Sequence, residues 1–145
     1  MSHPRIGIIG AGAIGGNIGG MLTLAGHDGT LVDQWPEHVE AMKKGGLKMT
    51  WPASEKTAKV RALHLHELQS VNEPFDYAFI SVKSYDTEWA TWLAKGCVKP
   101  DGAFVSAQNG INDERIGAIA GRDRTLGCVV PISAGMYEPG PVLRT

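Results

Sequence analysis

One short loop constrains this chain more than any other feature. The apolar stretch Arg5–Ile9 is followed at once by a Gly-x-Gly-x-x-Gly run, Gly10-Ala11-Gly12-Ala13-Ile14-Gly15. In such a run the first glycine permits a tight turn out of a strand, the second lets the backbone approach a diphosphate, and the third lets the next helix pack closely. Free N–H groups at the helix start, backed by the helix dipole, attract phosphate. The sequence therefore predicts a strand–loop–helix unit that binds a dinucleotide through residues 10–15.

An acidic residue closes the second predicted strand. Leu31 and Val32 end an apolar run at Asp33. Asp33 follows the glycine loop at the spacing of ~20 residues expected for a carboxylate that accepts hydrogen bonds from the adenosine ribose. Such a carboxylate repels a 2′-phosphate, and the next residue is Gln34 rather than an arginine that could hold one. Asp33 therefore favours NAD(H) over NADP(H) at this position.

Apolar runs alternate with helical patterns along most of the chain, which is the order expected of a parallel sheet with helices on both faces. We predict an α/β fold of the Rossmann type, doubly wound around a mostly parallel sheet, with residues 1–145 forming one NAD(P)-binding domain. The predicted strands cover 5–9, the run ending at Asp33, 75–82, 103–106, 126–132 and a last run from 140.

Four helices are predicted between these strands. The first follows the glycine loop with an apolar stripe at Ile14, Ile18, Met21, Leu22 and Ala25, and the second begins at Pro36 and stops at Gly45-Gly46. The third carries Tyr85, Trp89, Trp92 and Leu93 on one face, and the fourth spans 112–120.

The segment from Leu47 to Leu65 shows short alternating patterns rather than one long element. Polar and apolar residues alternate in 47–51 and again in 60–64. We predict two strands of an added hairpin, joined by a turn over Pro52–Lys56. A further turn is predicted at Pro100-Asp101-Gly102.

Charge and composition exclude several classes of partner. The chain has 14 Lys and Arg against 15 Asp and Glu, so nothing electrostatic favours nucleic acid. No apolar run approaches the ~20 residues that span a bilayer, and the N-terminus lacks the pattern of a signal peptide. Cys97 and Cys128 lie outside any zinc-binding spacing. We expect a cytoplasmic protein without a metal, a membrane or a nucleic acid as partner.

Ligands of an open α/β sheet lie beyond the carboxyl ends of its strands. Besides the glycine loop and Asp33, the segments at those ends are 81–84, 108–110 and 131–134. Lys83 follows a buried run and would place a cation at the ligand edge; the alternative is a solvated lysine at a helix start. Asn109 either contacts the ligand or only forms a turn with Gly110. His64 and His66 are predicted to be solvated or lightly packed.

Three further motifs resemble one enzyme family. After the glycine loop and Leu31-Val32-Asp33, the chain contains Val82-Lys83-Ser84-Tyr85-Asp86-Thr87, Gln108-Asn109-Gly110-Ile111 and Ile132-Ser133-Ala134. Together they resemble the N-terminal domain of the ketopantoate reductases (2-dehydropantoate 2-reductases), over essentially the whole chain. The glycine loop is shared by many dehydrogenases, while the motifs at 82–87 and 108–111 are more particular to this family.

The resemblance implies NADPH-dependent reduction of 2-dehydropantoate to pantoate, a step toward pantothenate and coenzyme A, with NADP(H) as cofactor. It implies that the loop glycines hold the diphosphate, that Lys83 lies near the adenosine end, and that Asn109 lies near the nicotinamide ribose and the 2-keto acid substrate. In such enzymes a helical second domain carries the lysine acid and the carboxylate that act on the substrate. Asp33-Gln34 departs from the arginine that NADPH users of the family commonly have there.

The last predicted strand ends at Thr145 without a closing helix. We therefore expect a truncated domain that lacks the catalytic C-terminal helical domain of the family and is inactive alone. Such a domain should expose apolar surface, which favours poor solubility or a homodimer. The alternatives are a dinucleotide-binding regulatory module, a reductase of a different 2-keto acid, and a methyltransferase. Lys83 and residues 108–110 argue against the first, and the glycines at 10 and 15 argue against the last.

Overall fold

The computed structural model describes residues 3–145, which form ten strands and four α-helices. The strands are β1 (Arg5–Ile9), β2 (Asp28–Asp33), β3 (Leu47–Trp51), β4 (Ser54–Ala58), β5 (Arg61–His64), β6 (Phe75–Ile80), β7 (Val98–Ser106), β8 (Thr125–Gly127), β9 (Ala134–Gly135) and β10 (Val142–Arg144). The α-helices are α1 (Ala13–Leu24), α2 (Pro36–Gly45), α3 (Thr87–Lys95) and α4 (Asp113–Ala120). None of these helices has both the length and the apolar character that a bilayer crossing requires.

Six strands form a parallel sheet in the order β5-β2-β1-β6-β7-β8. The chain winds outward from β1 in one direction through β2 and β5, and in the other direction through β6, β7 and β8. Because the connections of β1 and β6 leave toward opposite sides, a crevice opens between the carboxyl ends of these two strands. The topology confirms the predicted Rossmann-type, doubly wound α/β fold.

Apolar side chains build one core on each face of this sheet. Ile8 and Leu31 are fully buried on the face that α2 and α1 cover, whereas Ile9 and Val32 are fully buried on the face that α3 and α4 cover. Adjacent residues of one strand thus point into different cores. This double burial is the reason that β1 and β2 are apolar along most of their length instead of alternating.

Helix α1 buries its glycines rather than its predicted apolar stripe. Its buried residues are Gly15, Gly16, Asn17, Gly19 and Gly20. A Cβ at Gly19 would lie 2.8 Å from Leu31 Cδ1, and one at Gly20 would lie 2.5 Å from Met49 Sδ. The apolar stripe is only partly covered, and Met21 is 39% exposed. Because α1 packs against the main sheet and a second sheet at once, small residues are required on its inward sides.

The second sheet corrects the predicted hairpin. β3 pairs antiparallel with β4, whose residues fall where the sequence predicts a turn and are mostly exposed. The second half of the predicted hairpin instead supplies β5, which extends the main sheet beside β2. β10 and β9 complete a four-stranded sheet in the order β4-β3-β10-β9. Alternation marks a segment as extended but does not determine which strand it pairs with.

The buried face of α3 also differs from the prediction. The helix presents Thr87, Ala90, Thr91 and Ala94 to the core. Tyr85 and Trp92, from the predicted apolar face, are 81% and 61% exposed. Small side chains let a helix approach a sheet closely, so size rather than hydrophobicity selects the buried face here.

Two predictions in the second half of the chain need correction as well. Residues 100–102 lie inside β7, at an irregularity in its pairing with β6, rather than in a turn between elements. The strand predicted over 126–132 is limited to β8, and irregular chain follows it. Helices α2 and α4 are found where they are predicted, with Pro36 as the first residue of α2.

Candidate functional site

The carboxyl ends of β1, β2, β6 and β7 border a cleft of about 300 Å³, which is at the lower end of the volumes of small-molecule sites. The glycine loop, the residues that follow these strands, and Met136 form its walls. The predicted site residues in these walls are Gly10, Gly12, Ala13, Ile14, Asp33, Lys83 and Asn109. The fold therefore brings together candidates from four separate loops.

A different geometric observation explains the glycine at each of the three positions of the loop. Gly10 has a φ of 95°, which L side chains rarely adopt. A Cβ at Gly15 would lie 1.8 Å from the Gly10 carbonyl oxygen, so α1 can begin this close to the sheet only without a side chain there. A Cβ at Gly12 would meet a single described atom, Met136 Cε at 3.9 Å. Packing does not require a glycine at position 12, and the space beside it is open to a ligand.

Helix α1 begins with free backbone donors. Within residues 3–145, the N–H groups of Gly12, Ala13 and Ile14 have no hydrogen-bond partner. No described side chain caps the helix at Gly12, and its first turn contains no acidic residue. Several N–H donors at the positive end of a helix dipole form a binding site for phosphate.

Ala11 and Gly15 are buried on the protein side of the loop and do not line the cleft. Ala11 is fully buried. Its N–H donates to Asp33 Oδ2 at 2.8 Å, and its carbonyl oxygen lies 2.7 Å from His38 Nε2. The sequence predicts ligand contact for the whole block 10–15, but the turn into α1 directs these two residues toward the protein. The hydrogen bonds of Ala11 and the close packing of Gly15 fix the conformation of the loop.

Asp33 closes β2, and its side chain points toward the glycine loop. One carboxylate oxygen accepts from Ala11 N–H and the other accepts from Trp35 N–H, both at 2.8 Å. Each oxygen retains a lone pair for a further donor. Asp33 is 9% exposed and borders the cleft. A negative charge is thus held where it can accept from a neutral hydroxyl and repel a second anion.

The loop after β6 adds a cation and a carboxylate to the same cleft. Lys83 is exposed, and its ammonium forms no ion pair within the described chain. Asp86 accepts from Trp89 Nε1 at 2.7 Å, and its other oxygen lies 3.5 Å from Gln34 Nε2. Because Gln34 directly follows Asp33, the carboxylates of Asp33 and Asp86 border one corner of the cleft.

The side chain of Gln108 connects the loop after β7 to the loop after β6 by hydrogen bonds. Its Nε2 donates to Val82 O at 2.9 Å and to Thr87 Oγ1 at 2.8 Å. Asn109 beside it is exposed, and its backbone carbonyl accepts from Ser84 Oγ at 3.0 Å. No described residue bonds the Asn109 side chain, which can therefore donate to a ligand and accept from it.

Some functional positions are not found from the sequence, and some candidates lie elsewhere. Met136 and Trp35 line the cleft, whereas the candidate segment 131–134 does not. Trp35 could have been found because it follows Asp33 closely, but Met136 reaches the cleft only through the packing of β9. His64 ends β5 beside Asp33, its Nε2 lies 2.6 Å from Glu40 Oε1, and its ring stacks on the His66 ring. Neither histidine lines the cleft, although Leu65 between them does. Residues 3–145 contain no group of three His, Cys, Asp or Glu side chains suited to a metal ion.

Hydrogen bonding and burial shift the pKa values of four side chains of the domain, Glu67, Asp76, Cys97 and Lys99. The Lys99 ammonium lowers the pKa of Asp76 by hydrogen bonding, and the same contact raises the pKa of Lys99. Lys43 lowers the pKa of Glu67 in the same way. Burial raises the pKa of the Cys97 thiol.

The sequence of this chain is similar to those of known proteins of one family. The family described as ketopantoate reductase PanE/ApbA matches residues 6–145. The chain belongs to the ketopantoate reductase family. The 2-dehydropantoate 2-reductase of Archaeoglobus fulgidus is 35% identical over 148 residues, which cover 99% of this chain and 45% of that protein. The 2-dehydropantoate 2-reductase of Pyrococcus horikoshii is 34% identical over 139 residues, covering 95% and 43%. The chain thus spans less than half the length of these relatives.

Solved structures share the fold of this chain. A PanE/ApbA family ketopantoate reductase from Ralstonia eutropha matches with a TM-score of 0.85 and 30% identity, over 97% of this chain and 46% of that one. D-mandelate dehydrogenase, in a ternary structure with NADH and anilino(oxo)acetate, matches with a TM-score of 0.87 and 28% identity, over 97% and 45%. Both matches cover nearly all of the present chain.

Proposed function

We propose that this ketopantoate reductase domain binds NAD(P)H for the reduction of a 2-keto acid, with 2-dehydropantoate as substrate and pantoate as product. The observation that carries the proposal is the open start of α1. Three unpaired N–H groups lie there beside Gly12, where a Cβ would have no described neighbour closer than 3.9 Å. A diphosphate fits because its oxygens accept those hydrogen bonds and its charge complements the helix dipole. The relatives named 2-dehydropantoate 2-reductase support the substrate.

Each part of a dinucleotide has a candidate partner in the cleft. The N–H groups of Gly12, Ala13 and Ile14 would hold the diphosphate, and Asp33 would accept from a ribose hydroxyl. Lys83 would lie toward the adenosine, and Asn109 toward the nicotinamide ribose and the keto acid. The bound dihydronicotinamide supplies the hydride. The residues of this domain bind and orient it, and they keep the substrate end of the cleft polar.

We also propose that this domain prefers NADH. The carboxylates of Asp33 and Asp86 border the corner of the cleft that would receive the adenosine ribose, and both oppose a 2′-phosphate. Gln34 follows Asp33 in place of an arginine. Lys83 lies at the exposed rim, where water and salt weaken its Coulomb attraction for a 2′-phosphate, so it offsets only part of this repulsion. D-mandelate dehydrogenase, which shares the fold, was solved with NADH.

A helical second domain is the proposed partner at the mouth of the cleft. Tyr85, Ile111, Val129 and Tyr137 are 81%, 86%, 91% and 85% exposed, and they follow the strand ends or cleft-lining residues. Exposed large apolar side chains are typical of an interface where they form a patch. The second domain would cover them and supply the acid that protonates the keto oxygen. Without such a domain, a second copy of the chain would cover the same side chains and form a homodimer.

A different 2-keto acid is the second candidate substrate. D-mandelate dehydrogenase has a TM-score of 0.87 with this chain and was solved with anilino(oxo)acetate. The cofactor half of the cleft does not discriminate between substrates, because Asn109 is the one described residue that we propose at the substrate end. The amide of Asn109 is free of intramolecular hydrogen bonds and is therefore available to a substrate. A regulatory module that only senses dinucleotide has no use for such a group, so this alternative has less support.

The proposal can be tested by titrating the protein with NADH and with NADPH, with the fluorescence of the reduced nicotinamide as the readout of binding. We expect saturable binding of both cofactors, with the lower Kd for NADH, and competition by ADP-ribose, which shares the diphosphate and the adenosine. The absence of saturable binding by either cofactor would contradict the proposal.

A further inference from the structure

His38 is a buried side chain at the site that no sequence motif accounts for. It lies on α2 and is fully buried. Its Nε2 lies 2.7 Å from the Ala11 carbonyl oxygen, and the Gly140 N–H donates to its Nδ1 at 2.9 Å. The imidazole therefore joins α2, the glycine loop and the segment before β10.

The two backbone partners determine the tautomer of His38. A backbone N–H can only donate, so Nδ1 must accept from Gly140 and carries no hydrogen. A carbonyl oxygen can only accept, so Nε2 must carry the hydrogen that is donated to Ala11 O. His38 is thus a neutral imidazole in its Nε2–H form, with both nitrogens satisfied.

The carbonyl that His38 binds shares a peptide plane with the Gly12 N–H. In a planar trans peptide the C=O and N–H bonds point in opposite directions. Because the Ala11 C=O points to His38, the Gly12 N–H points away from His38, on the side of the cleft that Gly12 lines. The preceding peptide is held in the same manner, since Asp33 accepts from Ala11 N–H and Ser81 Oγ donates to Gly10 O at 2.8 Å.

We propose that His38 is a positioning residue that fixes the direction of the Gly12 N–H for an anionic diphosphate. This inference rests on the proposed binding of a dinucleotide. His38 does not line the cleft and acts through the Ala11–Gly12 peptide. When the Nε2–H donor is removed, that peptide can rotate. A rotated peptide presents a carbonyl oxygen to the phosphate and repels it.

Two substitutions separate the two hydrogen bonds of the imidazole. In His38→Gln the side-chain amide nitrogen is about as far from the Cβ as Nε2, so this variant retains a donor for Ala11 O. In His38→Asn the amide oxygen takes the place of Nδ1, so this variant retains an acceptor for Gly140 N–H and loses the donor to Ala11. Each variant loses one buried hydrogen bond and part of the ring volume, which makes them controls for each other.

We expect His38→Asn to weaken the binding of both NADH and ADP-ribose by about tenfold or more, because it releases the Ala11 carbonyl. His38→Gln should bind both ligands more tightly than His38→Asn, while thermal unfolding shows similar losses of Tm for the two variants. A role in stability alone would lower both Tm values without separating the two affinities. Equal affinities in the two variants would therefore overturn the inference.

The controls distinguish failure of this inference from failure of the proposed function. If the wild-type chain binds neither NADH nor ADP-ribose, the proposed function fails. If the wild type binds and the variants do not differ, only the role of His38 fails. If His38→Asn does not fold, the inference is tested on the wild-type protein instead. The tautomer of His38 and the amide signal of Gly12 are then followed by ¹⁵N NMR during the addition of ADP-ribose. The Nε2–H form together with a shifted Gly12 amide signal supports the inference, and an Nδ1–H form overturns it.

Discussion

The two ends of the main sheet use their polar groups in opposite ways. At the amino ends the charges are paired with each other: Arg5 Nε lies 3.2 Å from Asp28 Oδ2, and Lys99 Nζ lies 2.7 Å from Asp76 Oδ1. At the carboxyl ends, the N–H groups of residues 12–14, the Lys83 ammonium and the Asn109 amide have no intramolecular partner in the described chain. A second cavity of about 370 Å³, the amino-end cavity, is lined by residues that include Arg5 and Arg61 at the starts of β1 and β5.

The contrast teaches that the proposed site of this domain is marked by the free N–H groups at the start of α1 together with the open space beside Gly12. The first N–H groups of a helix have no partner within the helix, and an anionic ligand that accepts from them satisfies them. The charged side chains that line the amino-end cavity are already paired, Arg5 with Asp28 and Glu73, Arg61 with Asp28, and Glu67 with Lys43, so the cavity offers a charged ligand little. The carboxyl-end cleft offers donors, a fixed negative charge and open space beside Gly12.

The largest expected effect is the loss of cofactor binding in Gly12→Val. The new side chain would occupy the space proposed for the diphosphate, while the protein itself has room for it beside Met136. We expect the Kd for NADH to rise at least ~100-fold, which corresponds to ~3 kcal/mol, with little change in Tm. Fluorescence titration and thermal unfolding measure the two quantities.

Gly96→Val is the matched control for this substitution. Gly96 ends α3 with a φ of −71°, and a Cβ there would meet no described atom within 4 Å. It lies away from the cleft. If Gly12→Val and Gly96→Val bind NADH equally well, the contrast between the two ends of the sheet has no functional meaning.

A smaller effect is expected from Asp33→Asn, which removes the charge and preserves the shape of the side chain. The ratio of the Kd for NADPH to the Kd for NADH should fall about tenfold, since a tenfold change corresponds to ~1.4 kcal/mol of lost discrimination. Asp101→Asn, on an exposed part of β7, is the control and should leave the ratio unchanged. If Asp33→Asn changes the Kd for NADH and the Kd for NADPH by the same factor, Asp33 does not discriminate between the two adenosine riboses.

The smallest effect concerns the paired end of the sheet. The hydrogen bond from Lys99 lowers the pKa of Asp76 below its ordinary value of 3.8, with a further contribution from the backbone N–H of Arg5. A group whose pKa is depressed by folding stabilises the folded state above its unfolded pKa, and that stability is lost as the pH falls through the folded pKa.

Asp76→Asn should therefore lower the free energy of unfolding at neutral pH and flatten its decrease below about pH 4. The affinity for NADH should not change, because Asp76 lies outside the cleft. Urea unfolding at pH 7 and pH 3.5, together with a cofactor titration, checks both statements. A variant that unfolds with the same pH dependence as the wild type would contradict the assigned stabilising role.

The parts of the site that could be predicted from the sequence are those encoded locally. The glycine loop and Asp33 are read from short runs with fixed spacing, and the alternation of strands and helices determines the parallel sheet. Lys83 and Asn109 are placed at the ligand edge because they directly follow strands. Each of these signals is contained within one βα unit.

The remainder depends on contacts between distant parts of the chain. His38 donates to Ala11 and accepts from Gly140, which is separated from it by 102 positions. The glycines within α1 face two sheets, the second of which includes β10 from the end of the chain. The pairing of β5 with β2 instead of β3 is likewise nonlocal. Local periodicity contains no information about such partners.

The most direct test of the central claim follows the backbone amides by ¹H–¹⁵N NMR during titration with ADP-ribose. We expect the largest shifts at the N–H groups of Gly12, Ala13 and Ile14, with smaller shifts at Trp35 and little change around Arg5 and Glu73. Saturable shifts confined to the amino-end cavity, or no saturable shifts at residues 12–14, would contradict the claim that the start of α1 binds a diphosphate.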